Sequence, residues 1–184
     1  CIRFPEEKVR PMGRTATGVR GITLGGPKDE VIGMVCIEDT TTETVLVVSA
    51  NGYGKRTFLN DPEDGEAVYR VTNRGGKGVK TLNITEKTGD LIALKSVTND
   101  HDLMIINKSG IAIRLVVEGM RVMGRATQGV KLINLKGKDQ IAAVAKVPTS
   151  SDEDDELIVS EEGPNSEREA SESKDVEGEG TTEE

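Results

Sequence analysis

Residues 2–24 read IRFPEEKVRPMGRTATGVRGITL, and residues 113–135, which lie 111 positions further along the chain, read IRLVVEGMRVMGRATQGVKLINL. The two stretches align without a gap and are identical at 11 of 23 positions. Unrelated segments agree at roughly one position in twenty, so chance does not explain the match. The chain therefore contains an internal duplication.

A third and more divergent copy lies between these two. Residues 55–59, KRTFL, correspond to the IRF and IRL starts, and residues 73–84, NRGGKGVKTLNI, correspond to GRTATGVRGITL. The arginines that begin the copies are separated by 53 and 58 positions; they are Arg3, Arg56 and Arg114. This spacing is close to the repeat length of propeller-type proteins, roughly 40–50 residues.

Short apolar segments rich in valine and isoleucine follow one another along the copies, separated by turn signals such as GGPKDE, ANGYG and NKSG. Such segments are typical of β-strands, and no long window keeps the 3.6-residue apolar period of a helix. The predicted strands are residues 31–37, 44–48, 78–84, 91–97, 102–106 and 111–117. Residues 52–56, GYGKR, are interpreted as a hairpin turn that leads into a basic strand.

This pattern predicts an all-β, propeller-like fold built from four-stranded antiparallel blades repeated around an axis. About three blades are expected to be present, in repeats that cover about residues 1–53, 54–111 and 112–149. The chain begins inside a repeat, so we expect it to be part of a longer protein.

Charge is divided unevenly along the chain. Residues 1–150 hold 22 Lys and Arg against 17 Asp and Glu, a net charge of +5, whereas residues 151–184 hold 2 against 15, a net charge of −13. The second part has apolar residues almost only at 157–159, so residues 150–184 are predicted to be a disordered acidic tail. A basic body with an acidic tail is the asymmetry expected of a nucleic-acid-binding protein.

Other features disfavour several classes of protein. Cys1 and Cys36 have neither a CxxC spacing nor a histidine pair nearby, which indicates a reducing compartment, and no metal site is predicted. No stretch reaches the ~20 consecutive apolar residues of a membrane span, so no membrane partner is expected. The chain has 2 Tyr, 2 Phe and no Trp, too few aromatic rings for the stacking platforms that bind single strands or RNA.

Each copy places an arginine next to glycine or asparagine, followed by Gly-Val and another basic residue. The three elements are residues 13–20 (GRTATGVR), 73–80 (NRGGKGVK) and 124–131 (GRATQGVK). Glycine allows the backbone to come close to a phosphate, and the arginine fork matches phosphate oxygens. We therefore expect these arginines to line one rim and contact phosphates. The alternative is that they only pack along the blade edges.

These elements, together with residues 50–57 (ANGYGKRT), resemble the C-terminal domain family of DNA gyrase A subunits. The resemblance covers about residues 1–147 and implies a six-bladed β-pinwheel with DNA wrapped around its basic rim. A box-like motif retains the last five residues of the family's Q-R-R-G-G-K-G element: Arg74, Gly75, Gly76, Lys77 and Gly78. In the family this element lies in the first blade, whereas here it lies in the middle copy.

The resemblance implies a DNA-wrapping part of an ATP-hydrolysing type II topoisomerase that introduces negative supercoils. The partners it implies are double-stranded DNA, a second A subunit, plus the B subunit of gyrase. No cofactor is expected in this chain, and ATP and Mg are expected on other domains or subunits. No catalytic residue is expected here either, because the family's nucleophilic tyrosine lies in another domain. The implied location is the cytoplasm, in association with the nucleoid.

The residues expected to contact DNA form two groups. The primary candidates lie within the three Gly-Val elements: Arg14, Arg20, Arg74, Lys77, Lys80, Arg125 and Lys131. The secondary candidates begin a copy or precede an element: Arg10, Arg56, Arg114 and Arg121.

Two other functions stay open at this point. The related topoisomerase IV subunit shares the architecture, although ANGYGKRT favours gyrase. A propeller-like protein-interaction domain, in which the basic strips are solvated edges, is the alternative from another class. The acidic tail is either a solubilising segment or a competitor of DNA for the basic rim.

Overall fold

Two β-hairpins organise the part of the chain that the structure, a computed structural model, describes, which is residues 1–149. The strands of this part are β1 (Thr44–Ser49), β2 (Tyr53–Phe58), β3 (Leu91–Val97), β4 (His101–Asn107), β5 (Ala112–Val116), β6 (Val130–Lys131) and β7 (Ile141–Pro148). A single 3₁₀ turn, Glu6–Lys8, accompanies them. The predicted acidic tail lies outside the described residues.

The two hairpins build equivalent antiparallel sheets. The first sheet has the order β3-β1-β2-β6 and the second the order β5-β4-β7, so in both a later strand pairs with the free edge of the hairpin's first strand. Both sheets also carry a register shift at the same place, after Val48 in β1 and after Ile106 in β4. The prediction of an all-β fold of repeated antiparallel units is therefore confirmed.

Neighbouring copies are joined by backbone pairing. β6, which belongs to the third copy, pairs with β2 of the second, and Gly54 lies opposite Val130. The same contact joins the first and second copies, because Val79 N donates to the Cys1 carbonyl at 2.6 Å and Cys1 N donates to the Val79 carbonyl at 2.8 Å. The repeat found in the sequence is thus also the unit of packing.

β1 is buried on both faces, which explains its continuous run of β-branched and leucine residues. Leu46 and Val48 join a cluster shared with β3, β4 and β7, whereas Val45 and Val47 face a second cluster that includes Leu59, Leu82 and Tyr69. Alternate residues of a strand point to opposite faces. The first hairpin therefore holds both hydrophobic clusters together.

Residues 31–37 and 78–84, two of the predicted strands, contain no strand in the structure. The segments equivalent to residues 31–37 are β3 and β7, which pair with the first strand of a hairpin. Among residues 1–149 no hairpin strand pairs with residues 31–37, and Met34 is 83% exposed. Residues 78–84 form a loop in which Val79 pairs with Cys1 through two backbone hydrogen bonds, a pairing too short to make a strand.

The sequence also missed β7, because it is rich in alanine, which has a low strand propensity. The interpretation of residues 52–56 as a turn leading into a basic strand is confirmed by β2. Lys55 and Arg56 in this strand are buried rather than solvated, which a strand prediction based on apolar alternation does not anticipate.

Candidate nucleic-acid interface

Three loops that carry the glycine-containing elements lie side by side. We name them loop A (residues 13–24), loop B (residues 73–84) and loop C (residues 124–135). Thr23 N in loop A donates to the Gly76 carbonyl in loop B at 2.9 Å, and Asn83 N in loop B donates to the Thr127 carbonyl in loop C at 3.1 Å. The two donors, Thr23 and Asn83, occupy equivalent positions of the repeat, and so do the two acceptors, Gly76 and Thr127. The same bond therefore sets the loops next to each other at both junctions.

The central arginine of a loop reaches back to the preceding loop. Arg74 donates from Nη1 to the Arg20 carbonyl at 3.3 Å, and Arg125 donates from Nη1 to the Lys80 carbonyl at 2.6 Å. Arg74 also donates from Nε to the Lys8 carbonyl at 3.0 Å. Because a guanidinium has five N–H donors, each arginine can hold its neighbouring loop and still offer donors to a ligand.

The remaining primary candidates are exposed on the same three loops: Arg14 and Arg20 on loop A, Lys77 and Lys80 on loop B, and Lys131 on loop C. Arg125 is half-buried and Arg74 is exposed. The structure thus brings together all seven primary candidates on three loops in direct contact. Of the secondary candidates, Arg10 and Arg121 are exposed and lie just before loops A and C.

The other two secondary candidates lie outside loops A, B and C. Arg56 is 4% exposed, and its guanidinium donates to the Val117 carbonyl at 2.9 Å and to Asn99 Oδ1 at 2.8 Å. Burial lowers the pKa of Arg56. Arg114 donates from Nε to Asp102 Oδ2 at 2.7 Å. These two arginines therefore hold the fold together and do not belong to the loop surface.

Sequence reasoning missed one arginine of the surface. Arg70 is exposed and precedes Arg74 by four positions, as Arg10 precedes Arg14 and Arg121 precedes Arg125. Aligning YRVTNRG with MRVMGRA would have identified it, since both read R-V-x-x-R. The structure therefore shows a second exposed arginine in front of every loop.

The basic residues of the three loops form no salt bridge with an acidic side chain of residues 1–149. Within residues 1–149 the single salt bridge joins Arg114 to Asp102, away from loops A, B and C. The basic side chains of the loops consequently have no carboxylate partner in the part of the chain that is described. A row of unpaired cations creates a positive potential that attracts polyanions.

Glycine is required where the loops approach the preceding copy. Gly129 in loop C has φ of +80°, and a Cβ there would lie 2.6 Å from the Gly54 carbonyl oxygen. Gly78 in loop B has φ of +76°, and a Cβ there would overlap the backbone of Cys1. Gly18 in loop A has φ of +88° but open space around it. In loops B and C the glycines therefore allow neighbouring copies to pack against each other, which is a structural role.

Other kinds of site do not emerge among residues 1–149. No group of three His, Cys, Asp or Glu side chains there converges as metal ligands would. No helix of this part is long and apolar enough to cross a membrane. Tyr69 is 3% exposed with its hydroxyl 2.6 Å from Thr81 Oγ1, and burial raises its pKa.

Comparison with known proteins identifies the family. The family described as DNA gyrase C-terminal domain, beta-propeller, matches residues 1–38, 43–61, 66–98 and 101–148. The A subunit of DNA gyrase from Staphylococcus aureus (strain MRSA252) is 48% identical over 172 residues, which are 92% of this chain and 18% of that protein. The A subunit from strain NCTC 8325 / PS 47 is 47% identical over 175 residues. The chain thus spans less than a fifth of the length of the curated relatives it matches.

Two solved structures share the fold. The structure of a DNA gyrase A C-terminal domain superposes with a TM-score of 0.66 at 24% identity and covers 78% of this chain and 45% of that one. The crystal structure of the C-terminal domain of a DNA topoisomerase IV superposes with a TM-score of 0.69 at 19% identity and covers 79% of this chain and 42% of that one. Both likenesses concern the fold alone. The resemblance drawn from the repeat elements is confirmed by the family match and by the sequence relatives.

Proposed function

The chain belongs to the DNA gyrase C-terminal domain, a β-propeller family, and from this membership we propose that it binds duplex DNA through the phosphate backbone. The surface that carries the proposal is the row formed by loops A, B and C. Its basic side chains are exposed or half-buried and, within residues 1–149, without a carboxylate partner. Phosphates are the ligands that such a row of cations favours.

The chemistry of the row supports backbone contacts rather than reading of bases. Arginine and lysine neutralise phosphates irrespective of sequence. Of the four aromatic residues, Tyr69 is buried and Tyr53 lies in β2 with its ring 5.5 Å from the Lys87 ammonium. Phe4 and Phe58, like the two tyrosines, lie outside loops A, B and C in sequence, so these loops carry no aromatic ring for stacking. We expect binding that tolerates all sequences and depends strongly on salt.

Successive loops also support wrapping. The repeated bonds between loops place the cations of one copy next to those of the following copy, so a duplex that follows the row contacts each loop in turn. A duplex that bends along such a row recovers the cost of bending through additional phosphate contacts. We propose that the DNA is wrapped with right-handed writhe, so that the parent enzyme introduces negative supercoils.

The same proposal places the chain in the A subunit of a DNA gyrase. The partners would then be a second A subunit and the B subunit of gyrase. ATP and Mg would be used by other domains or subunits of that enzyme, which would act on the bacterial nucleoid in the cytoplasm. A topoisomerase IV subunit is the nearer alternative, because its C-terminal domain superposes equally well. The 47–48% identity with gyrase A subunits favours gyrase.

A gel-shift titration with linear duplexes tests the DNA-binding proposal. Two duplexes of equal length and unrelated sequence are titrated with the chain at several salt concentrations. We expect equal affinities and a steep fall in affinity as salt rises, because released counterions dominate such binding. Absence of a shift at low salt would contradict the proposal and favour a protein-interaction domain. A strong preference for one duplex would indicate base reading instead.

Deletion of residues 151–184 tests the role of the acidic tail, whose residues lie outside the described structure. We propose that the tail, with its net charge of −13, competes with DNA for loops A, B and C. Its removal should tighten binding at low salt, and the gain should shrink as salt screens the competition. The measurement is the same titration with both chains. Unchanged affinity would show that the tail only solubilises.

A further inference from the structure

A lysine ammonium is buried beneath loop C. Lys55 lies in β2 and is 0% exposed. Its Nζ donates to the Gly124 carbonyl at 2.7 Å and to the Thr127 carbonyl at 3.2 Å and Oγ1 at 3.1 Å, and it also contacts the Arg125 carbonyl. An ammonium has three N–H donors. All of them are thus directed at the single turn of backbone that carries Arg125.

The repeat shows that this charge is not needed to form the strand. The residues equivalent to Lys55 are isoleucines in the other two copies, Ile2 and Ile113. Ile2 lies under loop B, with its Cδ1 3.5 Å from the position that a Cβ on Gly76 would take. An apolar side chain therefore suffices beneath loop B, whereas loop C is held by a charge.

A buried charge holds its partners firmly. If loop C moved away, the Lys55 ammonium would lose all four of these acceptors at once, which is unfavourable for a charged group. Burial and the nearby Arg125 guanidinium lower the pKa of Lys55 to about 8, so the side chain is still mostly charged at neutral pH. Arg125 is in turn tied to loop B through the Lys80 carbonyl at 2.6 Å.

We infer that Lys55 is a positioning residue of the interface: its ammonium fixes loop C so that the remaining N–H donors of Arg125 face a DNA phosphate. The inference rests on the proposed function. Lys55 cannot touch DNA itself, because it is fully buried. Two neighbouring cations without a carboxylate between them also favour an anion on the outer side of Arg125.

The test is a double-mutant cycle on the 184-residue chain. Lys55→Ile copies the residue of the other two repeats, so the strand should tolerate it. We expect Lys55→Ile and Arg125→Ala each to weaken duplex binding on the order of eightfold at about 0.1 M salt, the value of one phosphate contact. The combined variant should lose no more than Arg125→Ala alone. Arg14→Ala, on loop A, is the control for independent effects. In the Lys55→Ile, Arg14→Ala variant the fold-losses in affinity of the two single variants should multiply.

Hydrogen exchange gives a readout that needs no DNA. Lys55→Ile should speed amide exchange in residues 124–129 and leave residues 74–78 unchanged. Thr127→Val, a surface change that removes one of the acceptors, should give a smaller effect of the same kind and serves if Lys55→Ile fails to fold. Unaltered exchange, or a loss of affinity that persists in full in the Arg125→Ala background, would overturn the inference. A wild-type chain that does not bind duplex would instead overturn the proposed function.

Discussion

The combined Arg14→Ala, Arg74→Ala and Arg125→Ala variant is expected to bind duplex DNA several hundredfold more weakly than the wild type. Each phosphate contact contributes about 0.9 to the slope of log K against log salt, which is about eightfold in affinity at 0.1 M salt. Three contacts therefore account for several hundredfold, and the slope should flatten by about 2.7. All sequences should be affected alike, since the three arginines bind the backbone. Gel-shift titrations at several salt concentrations measure both quantities.

A variant with the same loss of charge provides the control. Lys28, Lys108 and Lys146 are exposed and lie outside loops A, B and C. Changing these three lysines to alanine should leave the salt slope close to that of the wild type. Equal losses in the two variants would mean that binding follows net charge rather than the arrangement of the loops. Urea unfolding of both variants checks that the substitutions leave the chain folded, since Arg74 and Arg125 also hydrogen-bond neighbouring loops.

Gly129→Ala should destabilise the chain by about 3 kcal/mol, the sum of about 1 kcal/mol for a side chain at positive φ and about 2 kcal/mol for overpacking. The added Cβ would lie 2.6 Å from the Gly54 carbonyl oxygen and 3.0 Å from its carbon. Backbone atoms cannot rotate away as a flexible side chain can. Loop C would therefore have to separate from β2.

Gly18→Ala is the matched control for this prediction. Gly18 stands at the equivalent position of loop A with φ of +88°, and nothing lies within 4 Å of an added Cβ. Gly18→Ala should lower the free energy of unfolding only by the cost of a side chain at positive φ, about 1 kcal/mol. Urea unfolding of the two variants measures the difference. Equal costs would show that loop C does not approach the second copy as closely as the structure places it.

Much of the fold could be predicted from the duplicated stretch alone. The alternation and turn signals identified strands at 44–48, 91–97, 102–106 and 111–117, which match β1, β3, β4 and β5. Residues 31–37 have the same apolar pattern and still form no strand. An apolar pattern indicates that a segment is able to form a strand. The strand forms only where a second strand is available to hydrogen-bond with it. The pairing of β2 with β6 across copies was equally hidden, because β6 is only two residues long.

The candidate site was predictable where charge and exposure coincide. Arg14, Arg74 and Arg125 recur within loops, so the repeat could identify them as a set. Arg56 recurs just as regularly but is buried with its hydrogen-bond partners on other strands and turns. Recurrence alone does not separate an arginine that binds a ligand from one that joins two copies. The two kinds of arginine differ in whether the side chain points into the contact between copies or out to solvent, which only the structure shows.

The environment of Lys55 could not be predicted from the sequence either. A lysine next to an arginine in a basic strand indicates a solvent-facing contact, yet the side chain lies beneath loop C. Its partners are carbonyls about 70 residues further along the chain, and backbone acceptors leave no mark in a sequence. The isoleucines at the equivalent positions of the other two copies, Ile2 and Ile113, are the one sequence signal that this position faces inward.

DNA topology distinguishes a duplex that is wrapped by loops A, B and C from one that is bound without wrapping. Nicked circular duplex is saturated with the chain, sealed with ligase, freed of protein and resolved into topoisomers. A right-handed wrap traps positive writhe, so we predict a linking number above that of circles sealed without protein, rising with the amount of chain added. The Arg14, Arg74 and Arg125 variant should give no rise. An unchanged or lowered linking number, from circles that the gel shift shows to be fully bound, would rule out right-handed wrapping by these loops.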